Sequence, residues 1–318
     1  MHLNRILLSI IIAGLLCYVT GRYFDVRYRR NLAVLFFNST DTMLSAKQHY
    51  PIVLLGNSRV HFGINPYYID SATGLSSYNF GIGGSGPALL LLNSKLYLKH
   101  HPAPKYVVIG ADVSMLVAPE GIYSQYHFFY YLNEPDVYNI YRQYHPNIAL
   151  AKWLPFTKYS FFNEYNRGLL FKPEPRFPRF DHNIYKGFFN TSKMETGANA
   201  MHFGIDTLIK PLFDPSIAMM KNVISLWQQA GSTVILVSPP MKQNTAAVKK
   251  AFFGRADSVF AEMASQQQYL FLKADSSGHY DDKYFTDDLH LNEPGTRIFS
   301  RWLGNYINTL QQKENGPG

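Results

Sequence analysis

The chain has 318 residues, 47% hydrophobic and 16% charged, with a formal net charge of +8 and a single cysteine. That composition excludes a disordered chain and an intrachain disulfide scaffold, since there is apolar material for one large domain or two small ones and only one thiol. It does not read as a nucleic-acid binder either: five arginines against Asp25 put half of the excess charge in residues 1–30, and the mild remainder comes with no recognition motif.

In chain order, the first element is the uncharged run from Ile6 to Thr20, bounded by Arg5 and Arg22. It is somewhat shorter than a usual spanning helix, and Tyr18, Tyr23 and Phe24 extend it at an interface. A cleaved signal peptide has an apolar region of this size, but no small-residue cleavage site comes after Thr20. The run is therefore expected to be an uncleaved anchor, with residues 1–30 as anchor and juxtamembrane segment and 31–50 as a linker or short helix. The arginines after the run favour a cytoplasmic location for the rest of the chain. Residues 51–312 then carry alternating strand and helix signals. Strands are expected at Pro51–Leu55, Ser77–Phe80, Tyr106–Ile109, Thr233–Val237 and Tyr269–Leu272. Helices are expected over Leu89–Leu98, up to about Ala230-Gly231, over Thr245–Gln267 and over Pro294–Leu310. This alternation indicates an α/β fold with a parallel sheet covered on both faces, so chemistry should lie at the C-terminal ends of the strands. Between about 121 and 203 the rhythm gives way to an aromatic, basic insertion. It reads either as a segment packing on its own rings or as a platform for sugar rings and anionic polymers. Residues 313–318 read as a disordered tail.

Three short blocks carry candidate chemistry. Gly56-Asn57-Ser58-Arg59 comes directly after the first strand and places Ser58 at the sheet's C-terminal edge, either as an ordinary helix cap or as a nucleophile. Asn79-Phe80-Gly81-Ile82-Gly83-Gly84 is a loop whose glycines let backbone N–H groups approach a ligand. Asp287-Asp288-Leu289-His290 puts an aspartate three residues before a histidine, a spacing at which the carboxylate can hold one ring nitrogen while the other takes a proton from a serine. The nearby Asp281, Asp282, Asp287, Asp288 and His290 also allow a metal site, but without a second histidine or a cysteine that reading is weaker.

These blocks resemble those of the SGNH, or GDSL-type, hydrolase superfamily, over Pro51 to about Asp112 and Thr233 to Leu310. The resemblance implies a three-layer, flavodoxin-like α/β/α fold with Ser58 as nucleophile, His290 as base and Asp287 orienting it. It also implies that the N–H groups of Ser58 and Gly84 bind the oxyanion, with no metal or cofactor. Two positions depart from the pattern: Asn57 stands where an aspartate is usual, and Ala111 in Ile109-Gly110-Ala111-Asp112 stands where the family has an asparagine donor. Loss of one oxyanion donor typically lowers the rate by about 10²–10³-fold. Asp112 or a residue of the insertion is the candidate replacement. Arg59, His61, Asp112, Tyr130, Tyr131 and Arg142 are candidate substrate contacts, with His61 more naturally structural. Pro239-Pro240-Met241 is a candidate pocket wall, and His279 a candidate contact that is more naturally a surface residue.

An anchored SGNH-like domain resembles envelope proteins that work on acyl groups of cell-wall polymers or exopolysaccharides. This implies a bacterial, single-pass membrane protein with its domain on the extracytoplasmic side, opposite to what the arginine cluster favours. The activity expected is that of a serine esterase or O-acyltransferase acting on acylated envelope polysaccharide or a small ester, with a multi-pass membrane acyltransferase as a possible partner. The alternative is an inactive scaffold of the same fold that binds polysaccharide or such a partner.

Overall fold

The computed structural model describes residues 2–35, 39–45, 48–119, 127–128, 131–154, 156–161, 184–189, 211–242, 247–267, 269–274, 280–314 and 316. The strands are β1 (Ile52–Leu55), β2 (Ser77–Asn79), β3 (Tyr106–Gly110), β4 (Ile184–Tyr185), β5 (Phe188–Phe189), β6 (Thr233–Ser238) and β7 (Leu270–Lys273). The α-helices are α1 (His2–Leu35), α2 (Ser39–Leu44), α3 (Ser58–His61), α4 (Pro66–Thr73), α5 (Pro87–His100), α6 (Pro135–Tyr144), α7 (Ile148–Trp153), α8 (Asp214–Gln229), α9 (Ala247–Gln267) and α10 (Glu293–Glu314). They form two compact units, Met1–Asn38 with Gln125–Pro178, and Ser39–Ser124 with Arg179–Gly318.

In the second unit, five parallel strands run in the order β2-β1-β3-β6-β7. β1 reads Ile-Val-Leu-Leu and is buried along its whole length, as a parallel strand covered on both faces must be. On one face Ile52, Leu54, Val108, Ile235 and Val237 meet Ile69 of α4 and Phe299, Leu303 and Ile307 of α10. On the other, α5 packs against α8, where buried Trp227 donates its indole N–H to Ser94 Oγ at 2.9 Å. This is the expected three-layer α/β/α architecture. The strand order reverses between β1 and β3, the place where doubly wound sheets open a crevice at their C-terminal edge.

The β4–β5 hairpin has no counterpart among the strands expected from the sequence. Lys186 and Gly187 form its two-residue turn, both at positive φ (45° and 81°), as a tight hairpin turn of the twist-matching kind requires. The turn caps the β2 edge of the sheet: Asn79 N–H donates to Lys186 O at 2.9 Å, and Lys186 Nζ reaches Asp70 Oδ2 at 2.6 Å. A Cβ at Gly187 would collide with the Asn79 carbonyl oxygen. The expected continuous insertion is thus divided, since 125–178 belongs with α1 while this hairpin belongs with the sheet.

In the first unit α1 is one 34-residue helix, running past the expected anchor boundary and into the expected linker. Its Leu3–Asn31 stretch holds an 18-residue window of mean hydropathy 1.9 and is long and apolar enough to cross a membrane. Toward its C-terminal end the surface changes character: Gly21, Asp25, Tyr28 and Asn31, spaced three and four apart, are buried on one stripe. Asp25 accepts from Lys158 Nζ at 2.7 Å and from Tyr159 Oη at 2.6 Å. At the other end of the chain, α10 continues to Glu314, so the expected tail begins inside a helix. Tyr106 Oη and Lys105 Nζ hold the Glu314 carboxylate at 2.7 and 2.9 Å.

Candidate active site

The nucleophile side is built from buried parts. After β1, Asn57 caps α3 by accepting from Arg59 N–H at 3.0 Å, and its Nδ2 donates to Ser114 Oγ at 3.0 Å. Ser58 is therefore the first helical residue, half-buried at the end of β1. Fully buried Asn79 clamps this turn to the glycine loop. Its Nδ2 donates to Val60 O and Ile64 O at 2.8 and 2.7 Å, and its Oδ1 accepts from Gly81 N–H at 2.8 Å. Asn79 lies inside the second sequence block, yet its clamping role depends on carbonyls 15 and 19 residues away, which no local pattern reveals.

The base side is a self-contained loop. An antiparallel bridge between Phe285 and Leu291 closes it, with Thr286 N–H donating to His290 O at 2.9 Å. Inside the loop Asp287 acts twice. Oδ1 accepts from the backbone N–H groups of Leu289 and His290, both at 2.8 Å, and Oδ2 meets His290 Nδ1 at 2.8 Å. One carboxylate thus sets both the loop conformation and the ring. Burial alone would raise the Asp287 carboxyl, but the hydrogen bonds from His290 and Leu289 outweigh it and hold the carboxyl at about 2. With Nδ1 held, His290 Nε2 lies 2.8 Å from Ser58 Oγ. The structure therefore brings Ser58, His290 and Asp287 into one hydrogen-bonded chain, with nucleophile–base and base–orienter distances suited to proton transfer.

The glycine loop lies beside Ser58. Among the described residues, neither Ser58 N–H nor Gly84 N–H donates to another backbone group. Gly84 sits at φ 72°, a left-handed conformation that glycine adopts freely. The neighbouring Gly83 is close enough that a Cβ there would lie 3.9 Å from Ser58 Cβ, so the glycine loop abuts the nucleophile. Ala111 has no donor to offer: it is buried, its side chain is a methyl group, and its N–H is taken by Val237 O at 2.7 Å.

Several sequence expectations need correction. Asp112 does not replace the missing donor and does not face a substrate. Its side chain is 3% exposed and pairs with the equally buried Arg59, Nη1 to Oδ2 at 2.9 Å. Burial would raise this carboxyl, but the Arg59 guanidinium outweighs it and holds it below its ordinary value, leaving an acceptor-only carboxylate. Arg59 is likewise occupied. Its Nη2 donates to Pro239 O and Pro240 O at 2.5 and 3.0 Å, and its guanidinium lies 5.4 Å from the Phe253 ring centroid. The Pro239-Pro240 segment after β6 is thereby a carbonyl clamp for arginine. His61 is buried and stacked on Phe62, and burial pushes its imidazole down to about 4 despite a hydrogen bond with the Gly187 backbone. It is a neutral structural side chain.

Tyr131 and Arg142 belong to the first unit, where Arg29 lies over the Tyr131 ring and Arg142 is exposed in the last turn of α6. Tyr130 and His279 lie outside the described residues. Of the aspartates weighed as metal ligands, Asp281 pairs with Lys283 and Asp287 with His290.

No family model matches the chain, and no curated protein matches it. Among solved structures the chain is similar to a catalytic mutant of an acetylxylan esterase from Geobacillus stearothermophilus. That match has 13% identity, covers 79% of this chain and 91% of the other, and has a TM-score of 0.41. It is also similar to a GDSL-like lipase from Bacteroides thetaiotaomicron, at 11% identity over 89% of this chain and 99% of the other, with a TM-score of 0.40. Likenesses this distant carry no activity across, and the chemistry has to be read from Ser58, His290 and Asp287 themselves.

Proposed function

We propose that the chain is a serine ester hydrolase or O-acyltransferase of the SGNH type that works through an acyl-enzyme. The observation that carries this reading is the unbroken chain Ser58 Oγ to His290 Nε2 and His290 Nδ1 to Asp287 Oδ2, both links 2.8 Å. Ser58 Oγ attacks the ester carbonyl as His290 Nε2 takes its proton. The carbonyl oxygen becomes an oxyanion held by the N–H groups of Ser58 and Gly84. The ester C–O bond then breaks, His290 returns the proton to the leaving alkoxide, and the acyl group stays on Ser58. Water or a sugar hydroxyl reverses these steps, with His290 now deprotonating the acceptor.

With two backbone donors and no side-chain donor at Ala111, turnover is slower by about 10²–10³-fold than a three-donor site would allow. Acyl esters of envelope polysaccharide are the substrate class that suits a domain joined to an apolar helix long enough to span a membrane. The same lack of a third donor keeps a scaffold role as the competing reading.

Stopped-flow release of p-nitrophenol from p-nitrophenyl acetate by the full chain in detergent tests the proposal. A burst approaching one equivalent of enzyme, absent in His290→Ala, is expected. An acetylated product on added oligosaccharide marks transfer. A burst that survives His290→Ala, or no burst and no steady turnover, would overturn the catalytic reading in favour of the scaffold.

A further inference from the structure

In the first unit, α7 and the turn after it present apolar side chains the wrong way for a soluble surface. Ile148 and Ala151 face inward, while Leu150, Trp153 and Leu154 are 53%, 76% and 50% exposed. An exposed cluster holding a tryptophan calls for a partner. The next described residue, Phe156, has φ 66°, an outlier conformation for a bulky side chain, and from there its ring meets Phe24 of α1 edge-on at 6.1 Å.

Phe24 marks a particular level on α1. At about 1.5 Å per residue, the stretch from Ile6 to Phe24 spans about 28 Å, close to the hydrocarbon thickness of a bilayer of about 30 Å. Beyond it come Arg27, Arg29 and Arg30 and the buried stripe of Asp25, Tyr28 and Asn31. The Phe24–Phe156 contact therefore sets the exposed cluster at the end of the apolar span. Lys158 and Tyr159 fasten the same turn to Asp25, within one turn of Phe24. Lys152 Nζ lies 5.0 Å from the Tyr138 ring and 5.4 Å from the Trp153 ring, so a cation sits beside the aromatics. Tryptophan, tyrosine and basic side chains at the edge of an apolar span are the composition of a membrane–water interface.

We infer that Leu150, Trp153, Leu154 and Phe156 form a second membrane contact, a foot that inserts into the headgroup and upper acyl region beside α1. The occupant is the lipid bilayer, continuous with the lipid around the span.

The test reconstitutes the full chain in phosphatidylcholine vesicles with chains brominated at carbons 6 and 7, and compares tryptophan emission with that in unbrominated vesicles. The other two tryptophans are interior to the sheet unit or partly so: Trp227 is fully buried and Trp302 is partly buried. Strong quenching is expected, and Trp153→Phe removes most of it while flotation of the chain with the vesicles is unchanged. The double variant Leu150→Asp/Leu154→Asp is expected to lose the quenching and shift the emission to the red. Quenching unaltered by Trp153→Phe, or absent although the chain floats with the vesicles, would overturn the inference. The latter result would place the cluster in water or against another protein.

Discussion

The two halves of the site are built differently. Ser58 is held from outside its own segment: Asn79 from β2, Ser114 from the turn after β3, and Asp112 through Arg59 all bear on the short helix that carries it. His290 is held from within, by a carboxylate three residues earlier in a loop that closes on itself. Supports on the serine side are buried, so removing them damages the fold. Those on the histidine side are half-exposed, so removing them damages the chemistry.

Substitutions that act on chemistry alone should show the largest effects. Ser58→Ala or His290→Ala is expected to lower kcat by about 10⁴–10⁶-fold with urea unfolding unchanged, because each removes a member of a unit. Asp287→Asn should lower kcat by about 10²–10⁴-fold, since the ring loses its anionic partner while the loop can keep its backbone bonds. A fall in the unfolding midpoint as large as the fall in activity would erase the contrast between the halves. On the serine side, Asp112→Ala strands a buried guanidinium and is expected to destabilise the chain by about 3–5 kcal/mol in urea titrations. Asn79→Ala leaves buried carbonyls unpaired and should cost about 1–3 kcal/mol.

The smallest effects come from pH. His61 is held down at about 4 in the folded chain against 6.5 when free, so below 6.5 the unfolded chain binds the extra proton. Its contribution is fully present above pH 6.5 and is lost as pH falls toward 4, a slope that His61→Phe should remove. The depressed carboxyl of Asp287 acts lower, its contribution fading from 3.8 toward 2 and moderated by solvent because the side chain is 49% exposed. Asp287 ionisation should therefore leave kcat/KM unaltered above pH 3.8, which a pH–rate profile checks.

Much of this was legible from residues alone. Continuous apolar runs gave β1 and β3 to within a residue or two, because a strand buried on both faces has no polar alternation to blur its ends, while β2, Ser-Tyr-Asn, was marked by the glycine loop that follows it. The spacing of Asp287 and His290 was readable because the contact is local. What stayed hidden was non-local. Arg59 and Asp112 read as charges near a site, but they lie 53 residues apart and neutralise each other inside the protein. The Lys186-Gly187 turn carried no sequence signal strong enough to stand out in an aromatic, basic stretch, and it is fixed by the β2 edge it covers. Nor did Asp25, read as one acid among arginines, announce that Lys158 and Tyr159 would close on it.

The most direct test of the central claim is covalent labelling of the full chain with a fluorophosphonate, with intact mass and peptide mapping as the readout. One adduct on Ser58 is predicted, lost in Ser58→Ala and strongly slowed in His290→Ala. No adduct, or the same adduct in Ser58→Ala, would contradict an acyl-enzyme at this serine.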